Sequence, residues 1–113
     1  MAEPIIEPNF TISDAALAAL ASLKADMARD DPDNPPAVAM VGWGLFYDKQ
    51  NHKRLENVVV SFCPRSQFAE VRHGVRVVSG LPLIFFGTKD TAAHFAGKQL
   101  HYEEGGWFFL RDS

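Results

Sequence analysis

From Ser13 onward the apolar residues fall into a helical rhythm. Ala16, Leu20, Leu23 and Met27 recur at spacings of four, three and four, while Ser22, Asp26 and Arg29 take the opposite side. The pattern predicts an amphipathic helix laid along a core. Ser13 suits its N-cap, because a serine oxygen can accept from an amide of the first turn, and Asp14 follows where a carboxylate complements the helix dipole. The helix is expected to stop by Asp30. Beyond it, the prolines of Asp31-Pro-Asp-Asn-Pro-Pro36 lack the amide donors that a continuing helix needs.

The rhythm then changes to that of strands. Between Ala37 and Tyr47 both alternating sets are apolar, Val38, Met40 and Phe46 on one and Val41, Trp43, Leu45 and Tyr47 on the other. Such a strand is covered on both faces. Gly42 and Gly44 interrupt the first set, the mark of a bulge or of a close backbone approach. After the polar loop from Asp48 to Arg54, Val58 to Cys63 reads as the returning arm of a long hairpin, closed by Pro64. Phe68 to Arg72 and Val75 to Ser79 flank His73-Gly74, which reads as a second hairpin turn with Gly74 supplying a positive φ. Leu81 to Phe86 is a short buried strand ended by Gly87. Thr88 to Phe95 reads as one or two helical turns, capped by Asp90 or Thr91 and stopped by Gly97. Gln99 to Glu103 and Trp107 to Leu110 make a last hairpin across Gly105-Gly106.

These elements define an α+β fold. An N-terminal amphipathic helix packs on a mainly antiparallel or mixed β structure of six to seven short strands, in one domain over residues 1–113 whose first nine residues are extended or disordered. Strands do not alternate with long helices and no phosphate-binding glycine motif occurs, so a doubly wound nucleotide fold is excluded.

Composition sharpens this picture. The chain is 47% hydrophobic with nine phenylalanines, enough apolar surface for one packed core. Fourteen acidic residues outnumber eleven scattered basic ones, a net charge of -3 that would repel a phosphate backbone, so nucleic-acid binding is not expected. No apolar run approaches the roughly 20 residues that span a bilayer. The acidic opening Met1-Ala-Glu-Pro-Ile-Ile-Glu7 lacks the basic-then-apolar order of a secretory signal, which gives a cytoplasmic expectation with no membrane partner. Cys63 is the single cysteine, so no internal disulfide can form, which suits a reducing compartment.

Four runs together suggest a family. They are Phe10-Thr-Ile-Ser-Asp-Ala-Ala16 ahead of an Ala/Leu-rich helix, the glycine-interrupted apolar strand, His73-Gly-Val-Arg-Val-Val78, and Phe95-Ala-Gly-Lys-Gln-Leu-His-Tyr102 before Gly106-Trp-Phe-Phe109. In this order they resemble the A-type (HesB-like) iron-sulfur cluster assembly family along nearly the whole chain. The resemblance implies a small mixed β fold with an N-terminal helix. It also implies iron or an iron-sulfur cluster held by three cysteines, one just after the glycines of the central strand and two as a C-x-C near the C-terminus. Neither element is present: Gly42-Trp-Gly-Leu-Phe46 occupies the first place without a thiol, and no C-x-C occurs up to Ser113. Leu81 to Thr88 is extra sequence relative to the family pattern. Clusters of this kind are held by thiolates, so a chain with one cysteine would have to assemble copies to supply them.

The residue types that carry chemistry are few. Cys63, His94 and His101 are the candidate metal ligands, although they lack the i, i+4 or C-x-x-C spacing that makes such sites legible. Cys63 ends a Val-rich strand beside Pro64, where a packed structural cysteine is the alternative, and His94 and His101 flank the Gly97 turn. His52 and His73 fall in polar loops and read as solvated. No carboxylate pair or nucleophilic serine stands in a catalytic context, so no catalytic residue is assigned. Trp43, Phe46, Trp107 and Phe109 are the candidates for an interface or a ligand pocket, with burial in the core as their competing role. Three readings stand. The first is a non-enzymatic binding or interaction domain related to the assembly family, without a cofactor, forming a homo-oligomer or meeting a protein partner. The second is an iron or iron-sulfur carrier using Cys63 and histidines across a subunit interface. The third is a small enzyme with an apolar pocket.

Overall fold

The computed structural model describes residues 5–50, 53–103 and 107–112, and of residues 45–48 and 53–55 the backbone alone. His52, the Gly105-Gly106 turn and the side chain of Phe46 lie outside the described residues. The chain runs β1 (Thr11–Ile12), α1 (Asp14–Asp30), β2 (Pro36–Asp48), β3 (Lys53–Pro64), α2 (Phe68–Val71), β4 (Arg76–Val78), β5 (Leu81–Phe85), α3 (Lys89–Phe95), β6 (Lys98–Glu103) and β7 (Trp107–Asp112). It is an α+β fold with the N-terminal helix packed on strands. Two sheets form, one of order β1-β6-β7 and one of order β3-β2-β5-β4. The hairpin pairs β2–β3, β4–β5 and β6–β7 are antiparallel, while β1–β6 and β2–β5 are parallel.

Helix α1 begins and ends where its sequence dictates. Ser13 is the N-cap and its Oγ accepts from the Ala16 amide, while the Asp31 amide reaches back to the Met27 carbonyl to close the last turn. Only half of the expected apolar stripe is used. Ala16 and Leu20 are buried, whereas Leu23 and Met27 are about two-fifths exposed. The helix is held to the small sheet by its cap, since the Ser13 amide donates to the Leu100 carbonyl of β6.

The predicted two-faced strand is β2, and its two faces build two cores. Ala39, Val41 and Trp43 look toward α1, α3 and the small sheet, where they meet Phe10, Leu20, Leu83, Phe85, Phe95 and Leu100. Phe10, Phe85 and Phe95 form a triangle of rings with centroids 4.7 to 4.9 Å apart, at tilts that set ring edges against faces. Val38 and Met40 look the other way, into a smaller cluster with Ile84, Cys63, Phe68, Val71, Val75 and Ile5. The long hairpin keeps register from Val38 to Asp48, so Gly42 marks a close approach and not a bulge: a Cβ there would stand 2.6 Å from the Phe86 ring.

The second hairpin differs from its expectation. Arg65 to Gly74 is helical, α2 flanked by two single 3-10 turns, and His73-Gly74 is not a strand turn. Phe68 and Val71 lie one helical turn apart and cover the second face of the sheet, a period of three that outweighs the turn signal of His-Gly. Gly74 is needed for space and not for torsion, since a Cβ would sit 2.3 Å from Ile5 Cδ1. The true two-residue turn is Ser79-Gly80, with φ of 51° and 84° between the paired Val78 and Leu81. Helix α3 is capped by Thr88, whose hydroxyl and the Thr91 hydroxyl exchange hydrogen bonds with each other's backbone, so the cap precedes the two residues expected. Gly97, at φ 70°, ends the turn after it as expected. The strands of the long hairpin, 13 and 12 residues, are longer than the short strands expected.

The segment before β1 is docked. Ile5 bridges to Phe86, the Ile6 amide donates to the Phe85 carbonyl, and Glu7 pairs with Arg76.

Candidate functional site

A broad concavity lies on the second face of the four-stranded sheet. Its floor is Met40 of β2, Ile84 of β5 and Phe86, its far wall is the helical stretch 67–74, and Ile5 closes one end. The volume is about 830 Å³, within the range of roughly 300 to 1,000 Å³ typical of small-molecule sites. Gln67, Glu70, His73 and Arg76 supply polar groups around this apolar floor. The Phe86 ring on the cleft floor sits directly over Gly42, where a Cβ would stand 2.6 Å from it.

Cys63 borders this cleft but is poorly armed. It is 3% exposed, and its Sγ points toward the Pro64 carbonyl at 3.5 Å. Burial, and secondarily the negative charge of Glu70, push the thiol pKa up, which favours the neutral form over the nucleophilic thiolate. Arg76 is tied down by several bonds. Its Nε and Nη2 meet the Glu7 carboxylate at 2.9 to 3.1 Å, and its Nη1 donates to the His73 and Val75 carbonyls. The Glu7 carboxylate holds the guanidinium protonated beyond its already high range.

The two histidines named from sequence lie elsewhere. His94, exposed on α3, stacks on the Trp43 indole with centroids 4.3 Å and planes 13° apart. Trp43 lies on the face of β2 opposite to that of Cys63, so the sheet separates the two candidate ligands. His101 of β6 meets Ser13 through a 2.7 Å hydrogen bond between Nδ1 and Oγ, and its ring stands edge-on to Phe109 at 5.4 Å. Cys63, His94 and His101 are therefore not brought together within one subunit, and among the described residues no group of three His, Cys, Asp or Glu side chains is arranged to hold a metal ion.

A serine and a histidine at that distance have the geometry of a nucleophile with its base. Here the serine is 7% exposed, already accepts from the Ala16 amide and does not line the cleft, so the contact is a helix cap locked to a strand. Sequence reasoning missed it, as it missed the cleft: 88 positions separate Ser13 from His101 and no local signal joins them.

The aromatic candidates divide. Trp43 is half-buried, and its Nε1 is enclosed with no acceptor among the described residues. It also lines a smaller hollow of about 420 Å³ with Glu56, Thr88, Asp90 and His94. Trp107 is 60% exposed on β7, an outer strand of the small sheet, whereas Phe109 is half-buried against His101. No described helix is long and apolar enough to cross a membrane. Compared with family models, curated proteins and solved structures, the chain matches none.

Proposed function

We propose that this chain is a non-enzymatic binding domain, on a scaffold akin to the A-type iron-sulfur assembly carriers, which takes a small partly apolar ligand in the cleft over Met40 and Ile84. The observation that carries this reading is the cleft itself: about 830 Å³, an apolar floor and a few polar groups at its edge. The side chains able to do chemistry support it by their engagements. Cys63 is buried with a raised pKa, His94 is stacked on Trp43 and His101 is bonded to the α1 cap. Kinship with the assembly family rests on the four residue runs from Phe10 to Phe109, and a cytoplasmic setting suits the lone reduced thiol. A thermal-shift screen of small amphipathic compounds, followed by calorimetry, tests the reading. Saturable binding that is lost when the half-buried Met40 becomes Lys supports it, with an unliganded melt to show that the variant folds. Iron and a visible charge-transfer band that vanish in Cys63→Ser would replace it with the carrier reading.

A second reading, self-association, draws on Trp107. An indole 60% exposed on an outer strand suits an interface between copies. Light scattering after size exclusion decides it: a dimer that Trp107→Ser converts to monomer supports the reading, and a wild-type monomer at high concentration removes it.

A further inference from the structure

The charges around the cleft do not cancel, and the imbalance selects a ligand. Two side chains bordering it carry full charge, Arg76 and Glu70. Arg76 is compensated from outside by the Glu7 carboxylate and has its remaining donors turned to backbone carbonyls. Glu70 has neither an ion-pair nor a hydrogen-bond partner among the described residues, although Arg76 lines the same cleft. Its negative charge reaches the cleft floor, where it helps to raise the Cys63 pKa. The Phe86 ring and the Met40 thioether lie on the floor, and an aromatic face and a polarisable sulfur both accommodate a cation better than an anion.

We infer that the cleft binds a small amphiphilic amine, its apolar body on Met40, Ile84 and Phe86 and its ammonium group against Glu70. The inference rests on the binding reading above and adds the sign of the ligand's charge. An anion would meet the like charge of Glu70 and find the Arg76 guanidinium already engaged by Glu7, two disadvantages that a cation avoids. A neutral ligand would keep the apolar contacts and leave the Glu70 charge unused.

A matched series tests the head group alone: 4-phenylbutylamine, 4-phenylbutanol and 4-phenylbutyrate, each titrated calorimetrically at low salt. The amine is expected to bind about two- to fivefold tighter than the alcohol, the scale of an exposed ion pair, with the carboxylate weakest. Glu70→Gln should remove the amine's margin and leave the alcohol's affinity unchanged. Glu70→Lys should move the preference to phenylbutyrate. Glu70 is exposed on a helical turn, so both variants should melt as the parent does. Methionine methyl NMR locates the ligand, because the Met40 resonance should shift while that of Met27, on the far end of α1, stays. Equal binding of the three heads, or an amine preference unmoved by Glu70→Gln, overturns the charge assignment and spares the cleft. Failure of all three to bind or to shift Met40 overturns the cleft reading as well.

Discussion

Ser79 Oγ accepts a hydrogen bond from the Ile12 amide at 2.9 Å, joining the tightest turn of the large sheet to the first strand of the small one. The contact accounts for a serine at φ 51°, a torsion that favours glycine or asparagine. Ser79→Ala keeps the torsional strain and loses the acceptor, so it is expected to cost about 1 kcal/mol. Ser79→Gly loses the same bond but relieves about 1 kcal/mol of strain, so it should come out near neutral. Urea unfolding of the two variants checks the difference, and equal losses would show that the strain is absent.

Gly42 and Phe86 are matched in the opposite sense, a missing side chain against a large one. Gly42→Ala should push the Phe86 ring toward the cleft and cost about 1 to 3 kcal/mol, the range for overpacking. Adding Phe86→Leu should recover part of that loss, a coupling that a double-mutant cycle reads directly.

The raised pKa of Cys63 sets an alkaline limit. Its thiol holds its proton more tightly folded than unfolded, so the native state binds more protons as pH rises through the ordinary thiol range. This contribution is complete below that range and is lost as pH climbs toward the folded pKa. Melting temperature should therefore fall on the alkaline side in the parent and fall less in Cys63→Ala. Removing the Glu70 charge should ease the loss of the proton, so Glu70→Gln should react faster than the parent with a thiol reagent at fixed pH.

The Trp43–His94 stack is a half-exposed aromatic contact. His94→Ala is expected to cost about 0.5 kcal/mol, the lower end for such pairs. It should also shift Trp43 emission to the red as the indole gains water, best seen with Trp107 replaced by Phe.

Much of the fold was legible where the signal was local. The α1 boundaries followed from Ser13 and the proline run, and the two-faced character of β2 followed from its unbroken apolar residues. The stretch from Arg65 to Gly74 misled because His73-Gly74 looks like a turn, while the constraint on Gly74 is the Ile5 side chain packed on it from a distant segment. Leu23 and Met27 share a helical face with Leu20, yet helical period alone does not say how much of that face is buried. The cleft was the least legible feature. Met40, Glu70 and Ile84 converge only through the parallel pairing of β2 with β5 and the fold-back of α2, and neither leaves a periodicity.

Thr11 and Ile12 pair with Gln99 and Leu100, across a long stretch of intervening sequence. During synthesis Thr11 and Ile12 must therefore wait, without their β6 partners, until Gln99 and Leu100 have been made. The long β2–β3 hairpin, whose arms are close in sequence, is free to form meanwhile, and the closing of the small sheet becomes a late, slow event governed by the search between distant segments. A nascent chain stalled before Gln99 would hold its hairpin but leave Phe10 and Ile12 accessible to chaperones.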